Sequence, residues 1–426
     1  MLGGVKFDVV VVGAGPAGLA AAYRLALAGF KVVVLERGRE PGAKSLYGGR
    51  IYTYWLDRYL PEFRRDAPVD RWVKKERVTF LVEDKALTLE STVVEKTSFV
   101  TPLTSFVSWM ARLAQNAGAK IVTEITVDRL VRDDRGRFIG VQSGSDVLYA
   151  DYVIDAEGVN RLLLERAGVV EKLKPSQVAL GVKEVWKFGD RKILEERLGL
   201  AEDEGVAWAV AGLPSNYLPG GGFIYTYKDA IALGVVIYLD SWEKLDTPVY
   251  DLVERFRLHP YISPLVRGAT LFEYGGHMTP VAGINMAPPR LYYDGLLVAG
   301  DAAGFLLHTG VLIRGVDFAV ASGILAAEAV REARSPSSED LSIYEKKLRN
   351  SFVLPELERF KEADKLLSGQ FLFRDLPLFA TEAVHGYFNV GERQKTSFEA
   401  AWDASKKTRV NMARLFVNML KVVRNL

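Results

Sequence analysis

The sequence contains no cysteine in its 426 residues. Without cysteine, the chain forms no disulfide, no thiolate zinc site and no cysteine-ligated iron–sulfur cluster of its own. We predict no metal site. Any iron–sulfur centre that works with this chain must belong to another polypeptide.

The chain also lacks a large excess of either charge and lacks long apolar runs. The 55 Lys and Arg residues stand against 53 Asp and Glu residues, so there is no basic excess for binding nucleic acid, and we expect no such partner. No run approaches the roughly 18 to 20 apolar residues of a membrane-spanning helix, and the N-terminus lacks the features of a signal peptide. We therefore expect a cytoplasmic protein, peripherally associated with the inner face of the cell membrane.

The N-terminal region has the pattern of a βαβ unit. Residues 7–13 are a short apolar run that ends in glycine, residues 16–28 are helical in pattern, and residues 31–35 form a second apolar run. From residue 177 to residue 272 the pattern changes to short strands separated by turns, and beyond Ser335 it is helical and amphipathic. Hydrophobic residues make up 49% of the chain, which is enough for two or three domains.

A dinucleotide-binding motif lies between the first strand and the first helix. Residues 13–18 read Gly13-Ala14-Gly15-Pro16-Ala17-Gly18, the G-x-G-x-x-G pattern. Gly13 permits a tight turn, Gly15 lets the backbone approach a pyrophosphate, and Gly18 allows close packing of helix and strand. The helix N-terminus supplies free N–H groups to the phosphates. Glu36, at the end of the second strand, is placed to bind the adenosine ribose.

Two later segments favour FAD over NAD. Residues 299–304, Ala-Gly-Asp-Ala-Ala-Gly, match the Gly-Asp-Ala motif of FAD enzymes of the glutathione-reductase-like superfamily, in which the Asp binds the ribityl chain. Residues 156–161, Ala-Glu-Gly-Val-Asn-Arg, resemble the Ala-Asp-Gly-Val-Asn-Ser segment of that superfamily. The resemblance implies FAD as the cofactor, with Glu157, Gly158, Gly300 and Asp301 among its contacts.

The stretch from Glu36 to Arg50 resembles the flavin-contacting loop of the electron-transfer flavoprotein:quinone oxidoreductase family, in its short FixC-type branch. Further similarity lies at residues 179–186, 220–225, 300–305 and 314–319. The resemblance adds a group of expected FAD contacts from this loop: Arg37, Lys44, Gly48, Gly49 and Arg50.

The resemblance implies an α/β fold built on a discontinuous, glutathione-reductase-like (Rossmann-type) FAD-binding domain. That domain is expected to comprise residues 1–80, 101–170 and 281–334. An inserted β-sheet-rich domain for quinone is expected at 81–100 and 171–280. Residues 335–426 are expected to form a helical region that docks a partner or a membrane surface.

The family resemblance also implies partners. An electron-transfer flavoprotein would supply electrons through a ferredoxin-like iron–sulfur subunit, and a quinone, such as menaquinone, would receive them. Family members with their own cluster carry four cysteines in a C-terminal region, so here the cluster must be a partner's. Whether the complex bifurcates electrons stays open.

Candidate catalytic residues surround the expected flavin ring. His308 and His277 are candidates for proton delivery to a quinone, although each is also a candidate structural histidine. Gly310, Arg314 and Gly315 lie where a helix begins and would direct positive charge to the flavin. A helix-terminal salt bridge is the equal alternative for Arg314.

Four aromatic residues are candidates for an apolar quinone slot, with plain core packing as the alternative. They are Trp186, Tyr217, Phe223 and Tyr225.

The C-terminal helix carries an apolar stripe at positions 412, 415, 416, 419, 420 and 423. The stripe is suited to a membrane interface, or to docking on the body of the protein or a partner.

Other functions stay open at this point. The same FAD motifs occur in geranylgeranyl reductases and in aromatic-ring hydroxylases that use NAD(P)H. A flavin-bearing structural subunit is a third alternative.

Overall fold

The structure is a computed structural model that describes residues 7–43 and 49–426. Lys44 and Gly48, two of the expected FAD contacts, lie outside the described residues. The strands are, in chain order, β1 (Phe7–Val12), β2 (Val32–Leu35), β3 (Arg50–Tyr52), β4 (Arg71–Leu81), β5 (Ala86–Thr92), β6 (Ser98–Val100), β7 (Lys120–Val122), β8 (Arg129–Arg132), β9 (Phe138–Ser143), β10 (Asp146–Asp155), β11 (Val178–Lys187), β12 (Glu204–Gly212), β13 (Gly220–Thr226), β14 (Ala230–Tyr238), β15 (Thr270–Pro280), β16 (Tyr292–Tyr293), β17 (Leu296–Val298), β18 (Leu307–His308) and β19 (Ile313–Arg314).

The α-helices are α1 (Pro16–Leu27), α2 (Tyr54–Tyr59), α3 (Phe63–Asp66), α4 (Leu103–Asn116), α5 (Leu162–Arg166), α6 (Lys192–Leu198), α7 (Val249–Leu258), α8 (Ser263–Val266), α9 (Val316–Glu332), α10 (Ser338–Leu341), α11 (Ile343–Arg349), α12 (Val353–Arg359), α13 (Ala363–Leu367), α14 (Leu376–Phe388), α15 (Ser397–Thr408) and α16 (Met412–Asn425). A π-helical turn, Phe371–Asp375, precedes α14.

The first layer is a largely parallel sheet in the order β16, β17, β10, β1, β2, β7, extended from β10 by β9 and β8. Val9 of β1 lies opposite Val32 of β2 and, on its other side, opposite Tyr152 of β10. The apolar runs of β1 and β2 are buried on both faces because helices including α1, α4 and α9 share their core. The predicted α/β, Rossmann-type fold is confirmed.

The second layer is a nine-stranded sheet in the order β15, β11, β14, β13, β12, β4, β6, β3, with β5 beside β4. One face packs against α6 and α7 through a core that includes Leu233, Leu194 and Phe256. Strand β3 and all of β4 except Leu81 lie within the 1–80 segment assigned from the sequence to the FAD-binding domain, yet both strands pair in this second sheet. Their place depends on distant partners, since Trp72 of β4 lies opposite Glu204 of β12.

The region beyond residue 335 is helical and packs against both layers. α14 crosses the second sheet, where the Thr381 hydroxyl donates to the carbonyl of Phe80 at 3.5 Å. α15 begins with a capping box, in which Thr396 and Glu399 each accept a hydrogen bond from the other's backbone N–H. Within the described ranges, no helix combines the length and the apolar character needed to cross a bilayer.

Candidate functional site

One cavity of about 1130 Å³ lies between the two sheets. Its wall begins at the turn between β1 and α1, continues along the end of β10 and residues 299–301, and reaches the inner face of the second sheet. The motifs recognised in the sequence therefore meet in a single space, although they are spread over 300 residues of the chain.

The β1–α1 turn has the geometry that its glycines predict. Gly13 has φ +95°, and a Cβ added there would lie 2.4 Å from the carbonyl oxygen of Ala156. A Cβ on Gly18 would lie 2.0 Å from the carbonyl oxygen of Gly13, so Gly18 acts in packing and does not line the cavity. Gly15 has no heavy atom within 4 Å of an added Cβ, and no side chain caps α1. An open backbone edge at an uncapped helix N-terminus suits a phosphate group.

Glu36 lies at the end of the cavity where the adenosine half of the cofactor is expected. Its Oε2 accepts a hydrogen bond from the Ala14 N–H at 2.9 Å, and its Oε1 accepts one from the Gly38 N–H at 2.6 Å. These bonds hold the carboxylate beside the glycine turn, where the sequence predicts an adenosine ribose. Arg37 follows it in the cavity wall.

Glu157 and Gly158 contribute the wall at the end of β10. The Glu157 carboxylate accepts hydrogen bonds from the N–H groups of Leu163 at 2.9 Å and Leu164 at 3.2 Å, so it caps α5. Its neighbour Asp155 is fully buried, and burial raises the pKa of the Asp155 carboxyl well above its usual range. Burial also raises the pKa of Glu157. Gly158, with no heavy atom near an added Cβ, leaves the backbone open to the cavity.

Gly300 and Asp301 place a carboxyl group in the cavity wall. Gly300 has φ +66°, and a Cβ there would lie 2.8 Å from the Cβ of Ala17, so the two motifs pack directly together. Burial raises the pKa of Asp301 to about 6. Gly315 and Val316, at the start of α9, line the cavity next to this point and present a second helix N-terminus.

Arg314 does not line the cavity. Its guanidinium pairs with Asp317 at 2.6 Å and with Glu356 at 2.6 Å. The geometry of Arg314 therefore matches the helix-terminal salt bridge that was the alternative to a flavin contact. Gly310 lies in the turn of the β18–β19 hairpin with φ +86° and lines the cavity there.

Both candidate histidines line the cavity. The His308 Nδ1 is 2.9 Å from the hydroxyl oxygen of Tyr238, and burial lowers the pKa of His308 to about 4. Burial lowers the pKa of His277 as well, and the positive charge of Arg37 adds to this decrease.

The four candidate aromatic residues divide into two pairs. Phe223 and Tyr225, on β13, line the cavity, whereas Trp186 and Tyr217 do not. Trp186 lies on the other face of its sheet, where its indole contacts Arg257 of α7 at 5.0 Å. Tyr217 lies in the turn before β13 with φ +60°. Alternate strand residues face opposite sides of a sheet, which separates Trp186 from the cavity.

Gly49 and Arg50 lie beside this aromatic wall. A Cβ on Gly49 would lie 2.7 Å from the ring of Tyr225, so only glycine fits against that ring without a shift. Arg50 forms a bidentate ion pair with Glu76 of β4, and its guanidinium lies 4.4 Å from the ring centre of Tyr52.

The sequence did not single out several cavity residues. Tyr52, Glu76 and Tyr238 line the cavity. β14, which ends in Tyr238, is apolar along its whole length, so its sequence gives no signal for the face that the tyrosine takes. The far end of the cavity is formed by the hairpin turn, the π-helical turn and α16, through Val311, Leu312, Leu372, Phe373, Leu376, Val422 and Leu426.

The donor set fits FAD. The open glycine backbone and α1 N-terminus suit a pyrophosphate, Glu36 suits a ribose, and Asp301 suits a polyhydroxyl chain. Residues 8–79 match the family model described as FAD dependent oxidoreductase. The fold and the site together define a FAD-dependent oxidoreductase.

Residues 178–279 match a second family model, described as ETF-QO, ubiquinone-binding. The chain is 38% identical over 393 residues to the probable electron transfer flavoprotein-quinone oxidoreductase YdiS of Escherichia coli K12, covering 90% of this chain and 91% of that protein. It is 38% identical to the protein FixC of Azorhizobium caulinodans, covering 92% and 93%. The chain belongs to the FixC and electron transfer flavoprotein-quinone oxidoreductase family.

Solved structures show the same fold at lower identity. A geranylgeranyl bacteriochlorophyll reductase-like protein from Thermoplasma acidophilum superposes with a TM-score of 0.72 at 19% identity, covering 98% of this chain and 99% of that chain. CtdE in complex with FAD superposes with a TM-score of 0.61 at 16% identity, covering 95% and 99%.

Proposed function

We propose that this protein is the FAD-containing subunit of an electron-transfer flavoprotein:quinone oxidoreductase complex, which receives electrons through a ferredoxin-like iron–sulfur partner and reduces a quinone such as menaquinone. One observation carries the proposal. The segment that matches the ubiquinone-binding model, 178–279, supplies one wall of the cavity into which the FAD motifs open. A flavin and a quinone would therefore share one space, and a flavin can accept electrons singly and pass on two.

The protein supplies binding and orientation for this chemistry. The β1–α1 turn, Glu36 and Asp301 would hold FAD along the first sheet. Phe223 and Tyr225 offer an apolar wall for a quinone ring, and His277 and His308 bring imidazole groups to the same cavity. Neutral imidazoles are suited to hydrogen bonding with quinone oxygens.

The far end of the cavity supports access for a lipid-soluble substrate. Val311 and Leu312 line the cavity and are also 52% and 38% exposed, so they mark an apolar opening. α16 borders that opening through Val422 and Leu426 and exposes Phe416, Leu420 and other apolar residues on its outer side. An amphipathic helix of this kind is suited to a membrane interface. We therefore propose peripheral contact with the inner face of the cell membrane through α16.

The iron–sulfur centre must come from a partner because the chain has no cysteine. Electron bifurcation in such a complex would depend on the potentials of all its cofactors, including the FAD of this chain.

The test is anaerobic stopped-flow absorbance of the purified, FAD-loaded chain. It is mixed with reduced electron-transfer flavoprotein, with and without a ferredoxin-like partner, and then with a menaquinone analogue. We expect flavin bleaching that requires both partners and reverses when quinone is added.

The control reaction uses NADPH in place of the protein partners. Direct bleaching by NADPH, with none through the protein partners, would contradict the proposal and favour a reductase or hydroxylase. A flavin that stays oxidised in both reactions would favour a structural cofactor.

A further inference from the structure

Arg50 and Glu76 form an ion pair in the cavity wall. The guanidinium of Arg50 donates from Nη1 to one carboxylate oxygen of Glu76 at 2.9 Å and from Nη2 to the other, and its Nε donates to the hydroxyl of Ser98 at 3.0 Å. Arg50 and Glu76 both line the cavity, and their side chains are 10% and 28% exposed. The guanidinium is therefore fixed through all three of its nitrogens.

The strands that carry this pair are already joined by backbone hydrogen bonds. Arg50 begins β3, Ser98 begins β6 and Glu76 lies on β4. β6 pairs with both β3 and β4. A mostly buried ion pair adds little net stability compared with apolar residues of the same size, because both charges lose their hydration. The charges at this point of the wall therefore favour a role in the cavity over a role in holding the sheet.

The surroundings of Arg50 locate the pair within the cavity. The guanidinium carbon of Arg50 is 4.4 Å from the centre of the Tyr52 ring, and that of Arg314, which precedes α9, is 5.6 Å from the same ring centre. The preceding residue, Gly49, lies against the ring of Tyr225, in the segment matched to the ubiquinone-binding model. The pair thus lies near the start of α9, the helix expected to point at the flavin ring, and near the quinone-matched wall.

The two charges of the pair act in opposite directions on a flavin in this cavity. The electrons that reduce a flavin bring negative charge to its ring, and a nearby cation such as Arg50 stabilises that charge. The carboxylate of Glu76 opposes the effect, so the two contributions largely cancel at the distance of a ligand ring. Without Glu76, the positive charge of Arg50 would favour the reduced flavin.

We propose that Glu76 is a positioning residue that fixes the guanidinium of Arg50 in the cavity wall and cancels its charge, which keeps the reduction potential of the bound FAD low. The proposal rests on FAD binding and needs neither the quinone nor the protein partners. A flavin of low potential passes its electrons on to an acceptor more readily. The pair therefore favours transfer of electrons over their retention on the flavin.

The test measures the reduction potential of FAD-loaded variants, by equilibration with a reference dye of known potential. Glu76→Gln keeps an acceptor for Arg50 but removes the negative charge. We expect it to shift the equilibrium about tenfold toward reduced flavin, as for one charge about 10 Å from the ring at an effective dielectric constant of about 20. Arg50→Gln should shift the equilibrium in the opposite direction. Arg50→Gln/Glu76→Gln removes both charges and should return the potential close to that of the wild type.

The matched control is Asp57→Asn. Asp57 accepts two hydrogen bonds at 2.7 Å from the guanidinium of Arg64, so it forms the same kind of bidentate pair. Its pair lies outside the cavity wall, and the two side chains are 42% and 43% exposed. We expect the potential of the bound FAD to stay unchanged in this variant.

Unchanged potentials in Glu76→Gln and Arg50→Gln would overturn the proposal and assign the ion pair to the fold. Because the two expected shifts have opposite signs, a variant that loses FAD leaves the other to decide. Loss of folding or of FAD in both variants would also assign the pair to the fold and overturn the proposal. None of these results bears on the proposed function, which the stopped-flow experiment with the protein partners tests separately.

Discussion

At the scale of single residues, Arg314 has two candidate roles. It could tune the flavin reduction potential, or it could stabilise the fold through its ion pair. Asp317, its partner, is 2% exposed, so Arg314→Gln would leave a buried carboxylate with one cation fewer. Breaking a buried ion pair in this way costs about 3–5 kcal/mol. We expect a decrease of that size in the free energy of unfolding, measured by urea denaturation of the FAD-loaded protein.

The double variant Arg314→Gln/Asp317→Asn provides the control, because it removes both charges. We expect it to recover most of the lost stability. If Arg314 acted mainly on the flavin, the double variant would regain stability but would keep an altered flavin reduction potential. Recovery of both properties assigns Arg314 to the ion pair.

Asp155 gives the protein a distinctive pH dependence. Its pKa is raised in the folded state, so the folded chain binds a proton that the unfolded chain releases above pH of about 4. The stability from this proton is fully present at low pH and decreases as pH rises through the folded-state pKa. Each unit of pKa shift corresponds to about 1.4 kcal/mol.

We expect Asp155→Asn to flatten the decrease in thermal stability between pH 5 and pH 8. The amide can still accept the hydrogen bond that the Glu157 N–H donates to Oδ1 of Asp155 at 3.0 Å. Asp146→Asn, at the exposed start of the same strand, is the matched control and should leave the profile unchanged. If thermal stability changed with pH in the same way in the wild type and in Asp155→Asn, Asp155 would be ionised in the folded protein.

At the scale of elements, α16 has apolar residues on a half-buried side and on an exposed side. Leu415, Met419 and Val422 are half-buried toward the body of the protein, whereas Phe416, Leu420 and Val423 are exposed. The single apolar stripe is thus divided between packing and the outer surface. Arg414, Lys421 and Arg424 are exposed on the same helix and suit anionic headgroups.

We expect Phe416→Ser/Leu420→Ser to weaken binding to anionic lipid vesicles at least about tenfold in a sedimentation assay, since burying each large apolar side chain contributes about 1.5–3 kcal/mol. The control variant is Leu89→Ser/Val94→Ser. It removes two apolar residues of similar exposure, 61% and 76%, far along the chain from α16. Equal loss in the two variants would mean that vesicle binding is nonspecific.

The sequence predicted elements better than it predicted contacts between them. α1, α4 and α9 follow from apolar periodicity and glycine turns, and the cofactor motifs carry their own geometry. The inner and outer faces of the second sheet are not distinguished by alternation alone, so Phe223 and Trp186 looked equivalent in the sequence. The partner of His308 lies 70 residues away in the chain, and no local pattern indicates such a pair.

At the scale of the whole molecule, FAD should link the two sheets. The cavity takes its walls from both layers, so a ligand that fills it binds the folded arrangement and not the unfolded chain. Linkage then adds about 2.7 kcal/mol of stability at a free FAD concentration of 100 Kd. We expect added FAD to raise the Tm of the cofactor-free chain and to bring the unfolding of the two layers into one transition.

FMN serves as the control for that measurement, because it lacks the adenosine half that the glycine turn and Glu36 are suited to bind. We expect FMN at the same concentration to raise the Tm much less. An equal effect of FMN would show that the β1–α1 turn contributes little to cofactor binding.

The order of strands in the first sheet also constrains how the chain folds during synthesis. Phe7 of β1 pairs with Ala150 of β10, and Val153 of β10 pairs with Leu296 of β17. A ribosome must therefore release Asp155 before β1 has both neighbours, and Val298 before β10 has both. Until then, the valine-rich runs of β1 and β2 stay without their full cover, and such segments attract chaperones or aggregate. Slow translation or added chaperones should accordingly raise the yield of folded protein in a foreign host.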